Sequence, residues 1–228
     1  MKKLTKIKLI NWHYFVNQTI EVKNNILLTG QNASGKSTIL DAVTFVLTAG
    51  EQTFNIAAND KGKRDLKGYV KCKLGQDERE YLRNGDVTGH VALEFFEEKY
   101  NRYFTVGVVI DCFGDVLPPK VLYYIKESKI DDEMFRDDNN KIASTVMFKK
   151  LNKADEIILT KKEAKRLFRN RFGSINEKYF NMIPKALAFK PIGDVKQFIY
   201  QNILEEKHID VDSIQESIRS YKVISNSL

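Results

Sequence analysis

The residues of this sequence whose types and spacing suggest chemistry most directly are Gly30, Gly35, Lys36 and Ser37. They satisfy the pattern G-x-x-x-x-G-K-[ST], in which backbone N–H groups surround phosphate oxygens at the start of a helix. In that arrangement Lys36 would reach the terminal phosphates, and the Ser37 hydroxyl would be a ligand of Mg²⁺. The sequence therefore predicts a nucleoside-triphosphate site whose contacts are Gly30, Gln31, Asn32, Ala33, Ser34, Gly35, Lys36, Ser37 and Thr38.

The segments around this loop have the periodicity that would position it. The apolar run at residues 26–28 predicts a short buried strand, and residues 38–47 have apolar side chains at helical spacing. Two further strands are predicted at residues 4–10 and 19–22. The aromatic run between them offers Trp12, His13 and Tyr14 as candidates to stack on a base, and core packing is the alternative for each.

Composition limits the class of protein. The chain has 228 residues and 43% hydrophobic content, which suits a globular protein. Its formal net charge of +7 is consistent with an anionic partner, and solubility is the alternative reason for such a charge. The two cysteines stand in no metal-binding pattern, as expected of reduced thiols in the cytoplasm. The sequence shows neither a signal peptide nor an uncharged apolar window long enough for a membrane span, so we expect a cytoplasmic protein without a membrane partner.

A basic segment follows the predicted helix. Long cationic side chains of this kind contact DNA phosphates, although a solvated helix face is the commoner role of such a run. The candidate DNA-binding residues are Lys61, Lys63, Arg64, Lys67 and Lys71.

The phosphate loop and its flanks resemble the N-terminal head segment of the SMC, RecN and SbcC class of chromosome ATPases. Asn32, Ser34, Asp41 and Ala42 match positions of that class which a general phosphate loop does not require. Residues 54–59, 64–70, 81–86 and 90–95 resemble the MukB-like branch, and within it the JetC-type ATPases of Wadjet plasmid-defence systems. The resemblance extends from residue 4 to about residue 222.

This resemblance implies an α/β fold of the P-loop NTPase class, namely the N-terminal lobe of an ABC-type ATPase head. It would contain a mixed sheet around the loop and an antiparallel β-layer in residues 1–143, and a helical subdomain in residues 144–228 leading toward a coiled coil. The implied cofactors are ATP and Mg²⁺, with Gln201, or else Gln197, joining Ser37 at the metal.

The resemblance also implies partners. They are double-stranded DNA, the protein's own C-terminal head lobe, a second head, and kleisin-type and accessory subunits. The signature motif and the strand ending in Asp-Glu that hydrolysis requires do not occur in this sequence, so it would supply half of an ATPase site. Plasmid defence by DNA loop extrusion is the implied role, and a DNA-repair ATPase of the SbcC or RecF kind is the alternative.

The rest of the sequence predicts an antiparallel hairpin from residues 90–97 and 102–111, then a strand at residues 121–125. Asp111 ends an apolar run, as a Mg²⁺-binding aspartate would, but Cys112 follows where a catalytic glutamate belongs. We therefore interpret Asp111 as a strand-end residue. Capping boxes that begin at Thr160 and Ser174 predict helices, and the acidic residues 131–140 predict a surface loop rather than a metal site.

A GTPase is the rival from another class. The sequences DLKG at residues 65–68 and NKAD at residues 152–155 match two motifs of guanine-nucleotide switches. Neither follows a strand-like apolar run, which such motifs need in order to reach the nucleotide, and a preference for ATP or GTP would separate the two classes. A small-molecule kinase is disfavoured because no arginine-rich lid segment stands at a suitable place.

Overall fold

A computed structural model describes residues 1–23, 25–50, 54, 65–74, 80–114, 116–152, 156–158, 160–176, 179–180, 182–183, 199, 215–216 and 218–219. The chain divides into two compact units, Met1–Phe189 and Lys190–Leu228. All of the secondary structure considered below belongs to the first unit.

A six-stranded antiparallel sheet forms the centre of the first unit. Its strands lie in the order β2-β1-β3-β4-β5-β6, so that β1 pairs with β2 on one side and with β3 on the other. The strands are β1 (Lys2–Trp12), β2 (Phe15–Glu21), β3 (Val87–Glu97), β4 (Arg102–Cys112), β5 (Lys120–Lys126) and β6 (Glu156–Ile158).

The predicted hairpin is confirmed, because β3 and β4 pair along their whole length from Val87 opposite Cys112 to Glu97 opposite Arg102. A short 3-10 helix, Glu98–Tyr100, makes the turn, and Asn101 completes it with a positive φ of 47°. Asparagine tolerates this left-handed conformation better than most residues. The predicted strands at the start of the chain and at residues 121–125 are also present.

In the part of the chain that the structure describes, four α-helices with assigned bounds pack on the two faces of the sheet. They are α1 (Lys36–Leu47), α2 (Leu66–Val70), α3 (Thr145–Leu151) and α4 (Lys161–Phe172). Side chains of α1, α2 and α4 pack in one apolar cluster on one face, and α3 packs in a second cluster on the other. Because successive strand residues point to opposite faces, Val91 and Leu93 join the first cluster and Ala92 joins the second.

Three expectations about the fold need correction. The sheet is antiparallel wherever the structure describes it, not mixed. Residues 26–28 do not form a strand, and Leu27 is 86% exposed. The region from residue 144 onward is not only helical, since β6 joins the sheet beside β5.

The last two errors share a physical cause. A short apolar run becomes a strand only where a neighbour completes its hydrogen bonds, and that neighbour is set by topology. β6 has such a neighbour in β5, whereas residues 26–28 pair with no strand in the described part of the chain.

Candidate functional site

The phosphate-binding loop has the backbone conformation that its sequence predicts. Gly30 and Gly35 have φ angles of 148° and 91°, and Ala33 between them is also left-handed, at 65°. α1 begins at Lys36, directly after Gly35, and its first backbone hydrogen bond runs from Ile39 N to the Gly35 carbonyl at 3.0 Å. The N–H groups of the first turn have no intrahelical acceptors, so this end of α1 favours an anion.

The ammonium group of Lys36 lies over the loop. Its Nζ donates to the carbonyl oxygens of Gly30 at 2.8 Å and Gln31 at 2.7 Å, and it lies 3.3 Å from Ser34 Oγ. These acceptors are backbone and hydroxyl oxygens rather than a carboxylate. Within the described loop, the Lys36 ammonium therefore has neutral acceptors. A bound phosphate would replace these hydrogen bonds with stronger ones to charged oxygens.

A cleft of about 650 Å³ opens beside the loop. Residues 32–38 form one wall, and an aromatic wall faces them. The aromatic residues are His13, Tyr14, Phe15 and Tyr69. A cleft with a cationic, N–H-rich end and an aromatic side has the size and chemistry to hold a nucleotide.

The three aromatic candidates for base contact differ in position. Trp12 is fully buried and does not line the cleft, so its predicted contact with a base is corrected. Its Nε1 donates to the Thr38 carbonyl at 2.9 Å, and its ring packs on Phe45 and Phe54. Trp12 thus holds the first turn of α1 against β1. His13 and Tyr14 do line the cleft, and Tyr14 is 60% exposed there.

Two residues of the aromatic wall were not among the predicted contacts. Phe15 and Tyr69 come from opposite ends of a long stretch of sequence and meet the loop only in the folded chain. The Tyr69 hydroxyl donates to the Asp41 carboxylate of α1, and the Tyr69 carbonyl accepts from His13 N at 2.7 Å. Asp41, one of the matches beyond the general loop pattern, therefore links α1 to α2 under the cleft.

The prediction that the basic segment contacts DNA needs correction at Lys67 and Lys71. Lys67 is 8% exposed, and Lys71 is fully buried with its Nζ donating to the Gly114 carbonyl at 2.7 Å. Neither can reach a DNA phosphate from these positions. α2 packs against the sheet, so both lysine stems are buried beside it. Lys61, Lys63 and Arg64 lie outside the described residues, as does Gln201.

Asp111 is confirmed as a strand-end residue with a structural role. Its buried carboxylate accepts from Thr88 Oγ1 at 2.7 Å, from Thr145 N at 3.0 Å and from Thr145 Oγ1 at 2.7 Å. It thereby joins β3, β4 and the start of α3. Among the residues that the structure describes, no group of acidic, histidine or cysteine side chains is arranged to hold a metal ion.

The guanine-nucleotide motifs are not placed for a switch. Asp65 caps α2, with its carboxylate accepting from Gly68 N at 2.7 Å. Asn152 is 8% exposed at the end of α3, which packs on the sheet face opposite α1. The other residues of the second motif lie outside the described part. Neither Asp65 nor Asn152 lines the cleft, so the first residues of the two motifs do not meet there.

Comparison with known proteins agrees with the loop geometry. Residues 4–61 match the family described as the P-loop containing region of AAA domain. No curated protein matches the chain significantly. No helix in the described residues is both long and apolar enough to cross a membrane. Together the match, the left-handed glycines and the position of Lys36 define the class: residues 4–61 carry a phosphate-binding segment of the P-loop nucleotide-binding class.

Proposed function

We propose that this chain is the ATP-binding N-terminal lobe of an SMC-like ATPase that couples nucleotide binding to engagement of duplex DNA. The observation that supports it best is the position of Lys36, whose ammonium lies over the Gly30 and Gln31 carbonyls at the mouth of an aromatic-walled cleft. The matches at Asn32, Ser34, Asp41 and Ala42 favour the SMC-like class over other P-loop proteins.

The residues present fit a nucleoside triphosphate. The left-handed glycines open the loop, and Ser37 in the first turn of α1 has an exposed side chain that can serve as a metal ligand. Bound ATP and Mg²⁺ would supply a concentrated negative charge and its counter-ion. Lys36 would then exchange its loop carbonyls for phosphate oxygens, while Tyr14 and His13 would border the base.

Hydrolysis in this proposal needs surfaces from a C-terminal head lobe and a second head, with kleisin-type and accessory subunits as further partners. Plasmid defence is the first candidate role, and a DNA-repair ATPase of the SbcC or RecF kind is the second. A GTPase switch is the third, and Asp65 and Asn152 are poorly placed for it.

The test is nucleotide binding by the full chain, measured by titration calorimetry with ATP and GTP in the presence of Mg²⁺. Lys36→Ala should weaken ATP binding by at least about tenfold, because a hydrogen bond to a charged group contributes roughly 1.5–3 kcal/mol. Lys120→Ala removes an exposed lysine at the start of β5 and serves as the matched control. Equal ATP affinity in wild type and a folded Lys36→Ala variant would refute the site, and a strong preference for GTP would favour the switch.

A further inference from the structure

Helix α4 carries much of the positive charge of this chain. Its sequence, KKEAKRLFRNRF, has six basic residues and one acidic residue in twelve positions, in a chain whose formal net charge is +7. Four of the basic residues are spaced at i, i+3, i+4 and i+7, which places them along one side of a helix. These four residues, here called the α4 basic stripe, are Lys162, Lys165, Arg166 and Arg169.

The other side of α4 anchors it to the protein. Ala164 and Phe168 are fully buried in the apolar cluster that also contains side chains of α1. Lys162 and Arg166 are exposed, and neither forms an ion pair with any residue that the structure describes. Lys165 and Arg169 are half-buried, and Arg169 Nε donates to the Ile175 carbonyl at 3.1 Å. Lys162 and Arg166 are therefore the outward-facing part of the stripe, on a helix whose orientation is set by its buried side.

Several other cations of the described part have acidic partners. Lys3 pairs with Glu98, Lys6 with Glu21 and Lys8 with Asp132. At the far end of α4 itself, Arg171 contacts both Glu97 and Glu127. Like charges four residues apart on a helix repel each other, so Lys162 and Arg166 weaken the helix slightly. An anionic partner would remove this repulsion.

The size and position of the stripe suit a nucleic-acid backbone. Seven residues of helix span about 10 Å, which equals roughly three phosphate steps along one strand of duplex DNA. The start of α4 lies near the end of α1, since Lys161 Nζ donates to the Gly50 carbonyl at 3.2 Å. The cleft is at the other end of α1, about 18 Å away for a helix of twelve residues. A ligand on the stripe would leave the cleft accessible.

We propose that the α4 basic stripe binds the phosphate backbone of duplex DNA, without reading its sequence. This inference rests on the proposed function for the identity of the anion, and on the charges of α4 for its location. It moves the DNA contact away from Lys67 and Lys71, which are buried, to α4, which was not among the predicted DNA-binding segments.

The test is binding of the full chain to a labelled 30-base-pair duplex, measured by fluorescence anisotropy over a range of salt concentrations. In the double variant Lys162→Gln/Arg166→Gln, the slope of log K against log salt should become shallower by about two, because each lost phosphate contact lowers it by about one. Glutamine is a good helix former and both sites are exposed, so the variant should fold.

Lys149→Gln/Lys150→Gln is the matched control. It removes the same charge from exposed positions of α3, on the opposite face of the sheet, and should keep the wild-type salt slope. Equal slopes for the α4 variant and wild type would overturn the inference and leave the proposed function standing. Failure of the wild type to bind DNA would overturn both, and binding to phosphatidylserine vesicles instead would assign the stripe to a membrane surface. ATP affinity measured in parallel should be the same for all three proteins.

Discussion

The ring of Phe15 lies directly against Gly35, the last residue before α1. A Cβ atom at position 35 would lie 2.9 Å from Phe15 Cζ, closer than carbon atoms normally approach. The first residue of β2 therefore sets how near the sheet edge and the phosphate-binding loop can come. Glycine is favoured at position 35 for two reasons, since its φ of 91° is also unfavourable for any residue with a side chain.

We predict that Gly35→Ala reduces ATP affinity by about tenfold or more. The added methyl group must push either Phe15 or the loop aside, and the left-handed backbone adds roughly 1–2 kcal/mol of strain. Displacing the loop moves the N–H groups that would hold the phosphates. Titration calorimetry with ATP and Mg²⁺ measures the effect.

Gly173→Ala is the control for this prediction. Gly173 follows α4 with a φ of 104°, and a Cβ there would contact nothing within 4 Å. It should lower stability through backbone strain while leaving ATP affinity unchanged. If both alanine variants reduced ATP affinity equally, general destabilisation would explain the result and the contact with Phe15 would not.

A second prediction concerns Asp111, the end of an apolar run that resembles a metal-binding strand. We predict that Asp111→Asn lowers the free energy of unfolding by about 1–3 kcal/mol. The amide keeps one oxygen acceptor, but the NH₂ that replaces the other carboxylate oxygen cannot accept a hydrogen bond from the threonine group that it faces. Mg²⁺-dependent ATP affinity should not change in the folded variant. Urea unfolding and calorimetry measure the two quantities separately.

Thr88→Val serves as its partner experiment, since it removes one donor to Asp111 and keeps the shape of the side chain. Thr88→Val should also lower the free energy of unfolding, by a smaller amount than Asp111→Asn. A large loss of Mg²⁺-dependent affinity in Asp111→Asn, with unfolding unaffected, would show that Asp111 is a metal ligand after all.

A third prediction concerns acid stability. Burial alone would raise the pKa of Glu97, but hydrogen bonds from Arg102, Arg171 and Lys2 outweigh it and lower this pKa from 4.5 to about 2. A carboxylate with a lowered pKa in the folded state stabilises the fold above its unfolded pKa. That stabilisation should disappear as the pH falls from about 4.5 to about 2.

Glu97→Gln should therefore be less stable than wild type at neutral pH, and the difference should shrink over that acidic interval. Glu133→Gln, in an exposed position near β5, controls for the loss of one negative charge. Unfolding by urea at a series of pH values measures both. Suppose instead that the free energies of unfolding of Glu97→Gln and wild type differ by a constant amount from neutral pH down to pH 2. In that case, ionisation of Glu97 would not contribute to the pH dependence of stability.

Much of the local structure was accessible from the sequence. The alternating residues of β3, the β-branched run of β4 and the turn between them predicted the hairpin, because each signal lies within a few residues. The capping residue Thr160 predicted the start of α4 for the same reason, and its Oγ1 accepts from Glu163 N at 3.3 Å. A local signal of the same kind predicted a strand at residues 26–28 that does not form, because strand formation there depends on a distant neighbour.

The candidate site likewise has features that follow from local sequence and features that follow only from the fold. By itself the sequence determined the phosphate-binding loop, its helix and the identity of Lys36 and Ser37, since glycine placement and helix capping act over a few bonds. Only the tertiary structure decided that Phe15 and Tyr69 wall the cleft, that Trp12 lies beneath it and that Lys71 is buried. These features follow from the strand order, which places β1 between β2 and β3 and thus brings together residues far apart in the chain. Such contacts depend on which long-range pairing buries the most apolar surface, and no short window of sequence contains that information.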